Sequence, residues 1–321
     1  MIRPKQFYAL QTNIRGNFNI SLEKKTEDKK HANSGDELST EKDDEIGWWP
    51  RILWKLCTYS TPKIIRNLSG PNGNMSDEAK RIWDSERASL SSKQILQGTE
   101  PWQRDGLPSL SLIGGVDISF IKGDDVNACA GYVVCSLSES GAVDVVYSDA
   151  RMVRLTAPYV PGYLAFREAE PLVQLINSQR ESRPGLTPQV ILVDGNGILH
   201  PSRFGLACHI GVLADLPTVG VAKNLFQMED LGLKRDGGHK QQIEELHSRG
   251  DSFDLRTDSN EVLGVALRSS EDATKPVFVS VGHRMDLKTA TAVVLACSKY
   301  RIPEPTRQAD MRTREYLRKL T

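Results

Sequence analysis

Five side chains stand where a catalytic centre could be assembled: Asp117, Glu168, Asp194, Lys223 and His283. Asp117 interrupts the apolar run Ser111-Leu112-Ile113-Gly114-Gly115-Val116-Asp117-Ile118-Ser119-Phe120. An ionised carboxylate in a buried strand is costly unless something positive meets it, and a metal ion commonly does. Asp194 closes the short strand Val190-Ile191-Leu192-Val193 and opens Gly195-Asn196-Gly197, a turn whose backbone can approach a ligand closely. Alone, Asp194 could equally be a turn-former accepting backbone N–H bonds. Paired with Asp117 on a neighbouring strand, it would repel unless a cation held both, and hard oxygen ligands suit Mg²⁺. Glu168 sits on a helix, where a lone Glu is usually solvated; Lys223 and His283 each follow a strand. Were these ends to share one edge of a sheet, they would supply metal-assisted phosphodiester hydrolysis. The carboxylates would hold the cation, a base would activate water, and Lys223 would meet developing charge.

The elements that must position these groups are legible from hydrophobic period. Ser76 caps an amphipathic helix built on Met75, Ala79, Ile82, Trp83 and Leu90, expected to run to about Leu96. Strand-like runs follow at 110–120, 128–137 and 143–147 continuing into 152–155, linked by short turns, which implies an antiparallel meander. A helix is predicted over 163–178, with Pro171 kinking it or starting a second segment. Leu206, Ala207, Ile210 and Leu213 define the next helix, and strands are expected at 218–222, 262–268 and 277–281. The stretch 227–257 reads as a loop-rich insertion, and Asp286 caps a final helix through Ala290, Val293, Val294 and Cys297. The fold class is therefore α/β: one domain over 75–321 with a mixed sheet covered by helices. Residues 1–74 form an N-terminal extension. Positions 23–45 are polar and charged, a composition that favours disorder, while Trp48-Trp49-Pro50 and Trp54 are aromatic enough to dock on a partner.

Composition narrows the class. At 39% hydrophobic and 26% charged residues the chain reads as soluble, and no run approaches a membrane span. Five scattered cysteines without C-x-x-C spacing disfavour zinc and favour a reducing compartment; the expected setting is intracellular, in nucleus or nucleolus and cytoplasm rather than an organelle. Net charge is zero. Residues 1–75 hold 12 basic and 9 acidic side chains, leaving 29 and 32 for the remainder, so no general nucleic-acid footprint exists. Only 299–319, with seven basic and three acidic side chains, is locally positive, as a solvated helix face or a phosphate contact.

The motifs together resemble those of the endonuclease V family. They are Gly115-Val116-Asp117-Ile118-Ser119, the segment from Pro158-Tyr159-Val160-Pro161-Gly162 to Phe166-Arg167-Glu168, and Val193-Asp194-Gly195-Asn196-Gly197 with Leu199-His200-Pro201. Gly220-Val221-Ala222-Lys223 and Gly282-His283-Arg284-Met285 complete the set, in order and spacing, from about Met75 onward. The resemblance implies a ribonuclease-H-like fold and cleavage at the second phosphodiester 3′ to hypoxanthine, with Mg²⁺ or Mn²⁺, leaving 3′-hydroxyl and 5′-phosphate ends. It makes Asp117 and Asp194 metal ligands, Glu168 the third acidic residue, His283 the histidine near the attacking water and Lys223 the lysine beside the scissile phosphate. It makes Tyr159 the wedge that fills the stack when the base turns out, and places Leu164, Gly197 and His200 in the base pocket. The implied partners are inosine-containing single-stranded RNA or deoxyinosine-containing DNA, bound by a monomer. The Arg301-Ile302-Pro303-Glu304-Pro305 and Arg307-Gln308-Ala309-Asp310 segments look more like the eukaryotic branch, which leans towards RNA. Two other readings stay open: a catalytically silent inosine-binding module, and a nucleotide-binding α/β protein using the Gly195 turn, although neither standard phosphate-loop motif occurs.

Overall fold

Alternation organises the centre of the molecule. In β4 (Val190–Asp194), Val190 and Leu192 pack into one apolar cluster while Ile191 and Val193 pack into another on the opposite face. A strand buried on both sides must read as an unbroken apolar run, as this one does. The computed structural model describes residues 76–104, 107–226, 228, 233 and 239–320. The expected extension over 1–74, with its tryptophans, lies outside these residues.

The remaining strands are β1 (Leu112–Phe120), β2 (Asn127–Leu137), β3 (Val143–Arg154), β5 (Thr218–Ala222), β6 (Ser252–Arg256), β7 (Val262–Leu267) and β8 (Val277–His283). They form one eight-stranded sheet in the order β3-β2-β1-β4-β5-β8-β7-β6. β1, β4 and β5 run parallel at its centre, the first three strands make the expected antiparallel meander, and β8 runs antiparallel to β5. β3 is a single 12-residue strand rather than two pieces. β6 lies inside the stretch read as loop; the alternation Ser252-Phe253-Asp254-Leu255-Arg256, with Leu255 buried, was its available signal.

Helices α1 (Asp77–Ser91), α2 (Ala165–Ser182), α3 (Leu206–Ala214), α4 (Lys240–Glu244), α5 (Leu287–Ala296) and α6 (Glu304–Leu320) cover the sheet. Ser76 caps α1 by accepting from the Ala79 N–H at 3.2 Å, and Asp286 caps α5 by accepting from Thr289 N–H at 2.8 Å. α1 stops at Ser91, short of the expected Leu96. Pro171 does not divide α2. Losing one helical hydrogen bond costs about 3 kcal/mol, which burial of Leu172, Val173, Leu175 and Ile176 outweighs at about 1.5–3 kcal/mol each. Among the described residues no helix is long and apolar enough to cross a membrane.

α6 is an element the periodicity analysis does not predict, since its apolar stripe is thin: Pro305, Thr306, Ala309 and Thr313 are its buried positions beyond Glu304. It lies across β1 and β2 because those strands present glycines beneath it. A Cβ on Gly115 would overlap the Pro305 carbonyl, and one on Gly131 would overlap the Thr313 side chain. Gly115→Ala should therefore lift α6 and destabilise the protein by about 1–3 kcal/mol. Thermal melting checks this, and an unchanged melting temperature would mean that α6 does not depend on that close approach.

Candidate active site

The parallel register assembles the first part of the site. Val116 pairs with Val193, so Asp117 and Asp194 follow side by side on adjacent strands, about 4.8 Å apart in the hydrogen-bonding direction. Asp194 pairs with Val221, and Lys223 emerges two residues later to bond Asp194 through its ammonium. The three form a row along the carboxyl ends of the parallel strands, where α/β sheets build their sites. Gly115 lies beneath α6, and by strand alternation Asp117 shares its face, directing it towards that helix. α6 completes the row with Asp310, whose charge is felt at both Asp117 and Lys223. Ser119 Oγ and Thr313 Oγ1 lie 2.7 Å apart and tie α6 to β1 beside the site. The resulting open cleft of about 820 Å³ is lined by Asp117, Asp194, Lys223, Asp310 and Arg314 among others.

The electrostatics are those of crowded anions. Burial, and then the neighbouring Asp194 carboxylate, push Asp117 up to about 8, with Asp310 adding to the rise and Lys223 opposing it. Glu168, buried on α2, is pushed up to about 7, first by burial, with Asp194 raising it further and Arg167 pulling it down. Burial works against the charge on Lys223, but Asp194, Asp117 and Asp310 together hold it above its ordinary value.

His283 does not join them. β8 runs antiparallel to β5, so its last residue pairs with Thr218 at the start of β5, about five residues or 16 Å back along the strand from Lys223. There the buried imidazole accepts the Ile95 N–H at Nδ1, 3.2 Å away, and pins the segment following α1. The expectation that every strand end shares one edge holds for parallel strands and fails for this one.

A second hollow, about 100 Å³, opens on the other side of Asp194. Tyr159, Leu164 and His200 line it, as do Gly195, Asn196 and Arg87. Tyr159 is 67% exposed at its mouth. His200 bonds Ser202 Oγ through Nδ1 at 2.8 Å, and burial lowers it to about 4, so it stays neutral. Gly197 belongs elsewhere. Its N–H donates to Ser280 Oγ at 2.9 Å, its carbonyl accepts from Gly205, and a Cβ would strike the Val281 carbonyl. The turn thus offers the hollow Gly195 and Asn196, while Gly197 seats it on β8. α1 braces this wall: Trp83 stacks on Phe166 at 5.0 Å, and Tyr163 donates to Asp84 at 2.8 Å. A larger hollow of about 1380 Å³ lies at the opposite end of the parallel strands, near Leu110, Leu137 and Glu304, away from Asp117 and Asp194.

The sequence model of endonuclease V matches residues 92–311. The chain belongs to the endonuclease V family. It is 52% identical over 248 residues to human endonuclease V, covering 77% of this chain and 86% of that protein. Mouse endonuclease V is 51% identical over 244 residues, covering 76% and 71%. The crystal structure of the human endonuclease V catalytic domain superposes with a TM-score of 0.73, covering 76% of this chain and 97% of that one. Endonuclease V of Ciona intestinalis, solved with a DNA containing an inosine followed by a ribo-adenosine, is 35% identical with a TM-score of 0.70, covering 77% and 100%. This member of the endonuclease V family is accordingly an endonuclease. The mixed sheet covered by helices expected from the sequence is the observed fold.

Two groups at the endonuclease V site are given no site role by the motifs, although Asp310 stands in one of the segments that carry the resemblance. Asp310 and Arg314 lie on α6 at i and i+4, and only the packing of that helix on β1 brings them to Asp117. Asp310 carried a weak signal, an acid within a basic, helix-compatible stretch. Phe204, His209 and Phe226 line the second hollow with no sequence signal beyond their apolar or aromatic character.

Proposed function

We propose that this endonuclease recognises inosine or deoxyinosine in a nucleic-acid strand and hydrolyses the second phosphodiester on its 3′ side, leaving 3′-hydroxyl and 5′-phosphate ends. The observation that carries the reading is the adjacency of two features across Asp194: a carboxylate row and a partly aromatic hollow, free of acidic side chains, of base-like character. The relative crystallised with inosine-containing DNA supports the ligand class.

A divalent cation, Mg²⁺ or Mn²⁺, fits the donor set. Among the described residues no three His, Cys, Asp or Glu side chains close tightly enough to hold an ion alone. Mg²⁺ does not require that, since it binds through one or two carboxylates and keeps waters for phosphate oxygens. Asp117 and Asp194 are the carboxylates that would hold it, with Asp310 facing them. Bound there, the cation supplies Lewis-acid polarisation of the phosphate and lowers the pKa of a water. The chain supplies the rest. Glu168, whose buried carboxyl senses the Asp194 charge, is the residue that would take a proton from the attacking water. Lys223, kept charged by its carboxylate neighbours, meets the charge growing on the phosphate. The hollow holds the extruded base against Leu164 and His200, and a neutral His200 can hydrogen-bond without adding charge. Hypoxanthine differs from adenine at N1–H and O6, and Gly195 and Asn196, which line the hollow, are the residues that would read that edge.

The deciding experiment compares single strands bearing one inosine in RNA and one deoxyinosine in DNA, in Mg²⁺, Mn²⁺ or chelator. Metal-dependent cutting 3′ to the base is expected, with RNA favoured. Binding without cutting in either metal would overturn the catalytic reading and leave an inosine-binding module.

Metal dependence should also show in stability. Asp117 and Glu168 have folded pKa values raised above the ordinary carboxylate range. Their contribution to stability is full below about pH 4 and is lost as pH rises through about 7 to 8. A cation favours the ionised pair, so Mg²⁺ should raise the melting temperature more at pH 8.5 than at pH 6. Equal shifts at both would remove Asp117 from the metal site.

Tyr159, stiffened between Pro158 and Pro161, serves as the wedge. Tyr159→Ala should lower cleavage of duplex substrates about tenfold, the scale of one base–aromatic stack, with a smaller loss on single strands. Equal losses on both would argue against a wedge.

A further inference from the structure

The sequence leaves the basic stretch 299–319 open between a solvated face and a phosphate contact, and α6 divides it. Arg307 is held by Glu304 through Nε and Nη2 at 2.8 and 2.6 Å and lies 4.9 Å over the Tyr300 ring. Lys319 pairs with Glu315 at 2.8 Å, and Arg312 approaches the same carboxylate at 3.8 Å. Arg314 is placed differently. It stands one helical turn beyond Asp310 and, with Arg318 a further turn on, lines the cleft of Asp117, Asp194 and Lys223. Its Nε donates to Asp310 Oδ1 at 2.7 Å, and its side chain is 65% exposed. A guanidinium anchored through Nε keeps its two terminal amino groups for a further acceptor, and that fork matches phosphate oxygens. Its position outside the 92–311 family match leaves its role to be read from geometry.

The direction of the strand follows from the two hollows. The base-sized hollow lies on one side of Asp194 and α6 on the other. A strand with its modified base seated at Leu164 and His200 crosses the carboxylates next and reaches Arg314 last. Since the cut is 3′ to the base, the segment at α6 is the 3′ product.

We propose that Arg314 binds the phosphodiester immediately 3′ of the scissile one and so holds the departing strand in line for cleavage. This rests on the functional reading above. Asp310 orients the guanidinium, which contacts the substrate directly.

The test uses the full chain and inosine-containing single strands in which one phosphate is replaced by an uncharged methylphosphonate, either just 3′ of the cut or 5′ of the inosine. Arg314→Gln, at an exposed position, should lower kcat/KM about tenfold, the scale of one charge-assisted hydrogen bond. Neutralising the 3′ phosphate should cost the parent protein a similar factor and the variant almost nothing more, whereas the 5′ replacement should cost both proteins alike. The salt dependence of KM should also flatten in the variant by about 0.7 in log–log slope, the value for one lost contact to a single strand. Losses that multiply at the 3′ position, or a variant as active as the parent, would overturn the assignment. A kcat loss indifferent to the methylphosphonate would overturn it too, leaving Arg314 only as a support for Asp310. Absence of inosine-dependent cutting by the parent protein would remove the functional reading itself, and is seen before any variant is compared.

Discussion

Asp117→Ala is expected to lower cleavage about a thousandfold, the scale of removing a preorganised charge-stabilising group, while the protein stays folded. The two halves of that expectation have one cause. Asp117 is held to about 8 because burial and the Asp194 and Asp310 carboxylates disfavour its ionised form, only partly offset by Lys223. Such a group is not kept for stability. Above about pH 8, without metal, its ionised form is a liability, and its removal should leave the melting temperature unchanged or higher there. Below about pH 4 the folded state gains from the neutral form, and that gain disappears in the variant. Single-turnover cleavage beside thermal melts at pH 5 and 8.5 reads both effects. Residual cutting near the parent rate would take Asp117 out of the site, and a collapse of the fold at pH 8.5 would mean that the carboxylate is structural.

The second large effect is expected at Asp310. Asp310→Asn keeps the size of the side chain and an acceptor for Arg314, but removes the charge that α6 brings to Asp117 and Lys223. Cleavage should fall about a hundredfold, and saturation should require more Mg²⁺, because a cation facing one fewer carboxylate is held less strongly. At the same time the raised proton affinity of Asp117 should relax downward, since one of its like-charged neighbours is gone. A magnesium titration of the cleavage rate measures the first effects. A rate within twofold of the parent at low Mg²⁺ would show that Asp310 takes no part.

Asp310 also marks the boundary between what could be read along the chain and what could not. The carboxylates at 117 and 194 are visible in sequence because each breaks a local rule, an acid in or at the end of an apolar strand, and local rules are written in neighbouring residues. Tyr159 between prolines and the Gly195-Asn196-Gly197 turn announce themselves in the same way, through backbone chemistry. The strands, the capped helices and the mixed α/β class follow from period and caps, because burial on one face or two imposes its own spacing.

The sequence alone therefore determined most of the element types, though not β6 or α6, together with the family and the pair of acids at its centre. It could not determine which strand ends meet. His283 and Lys223 look equivalent along the chain, but one strand is antiparallel and the other parallel, so their ends lie at opposite edges. Nor could it place Gly197 against β8 rather than in the hollow, or seat α6 on Gly115 and Gly131 so that Asp310 and Arg314 arrive beside Asp117. Those decisions depend on strand direction and on backbone-to-backbone fit between segments nearly 200 residues apart, and no local spacing encodes them.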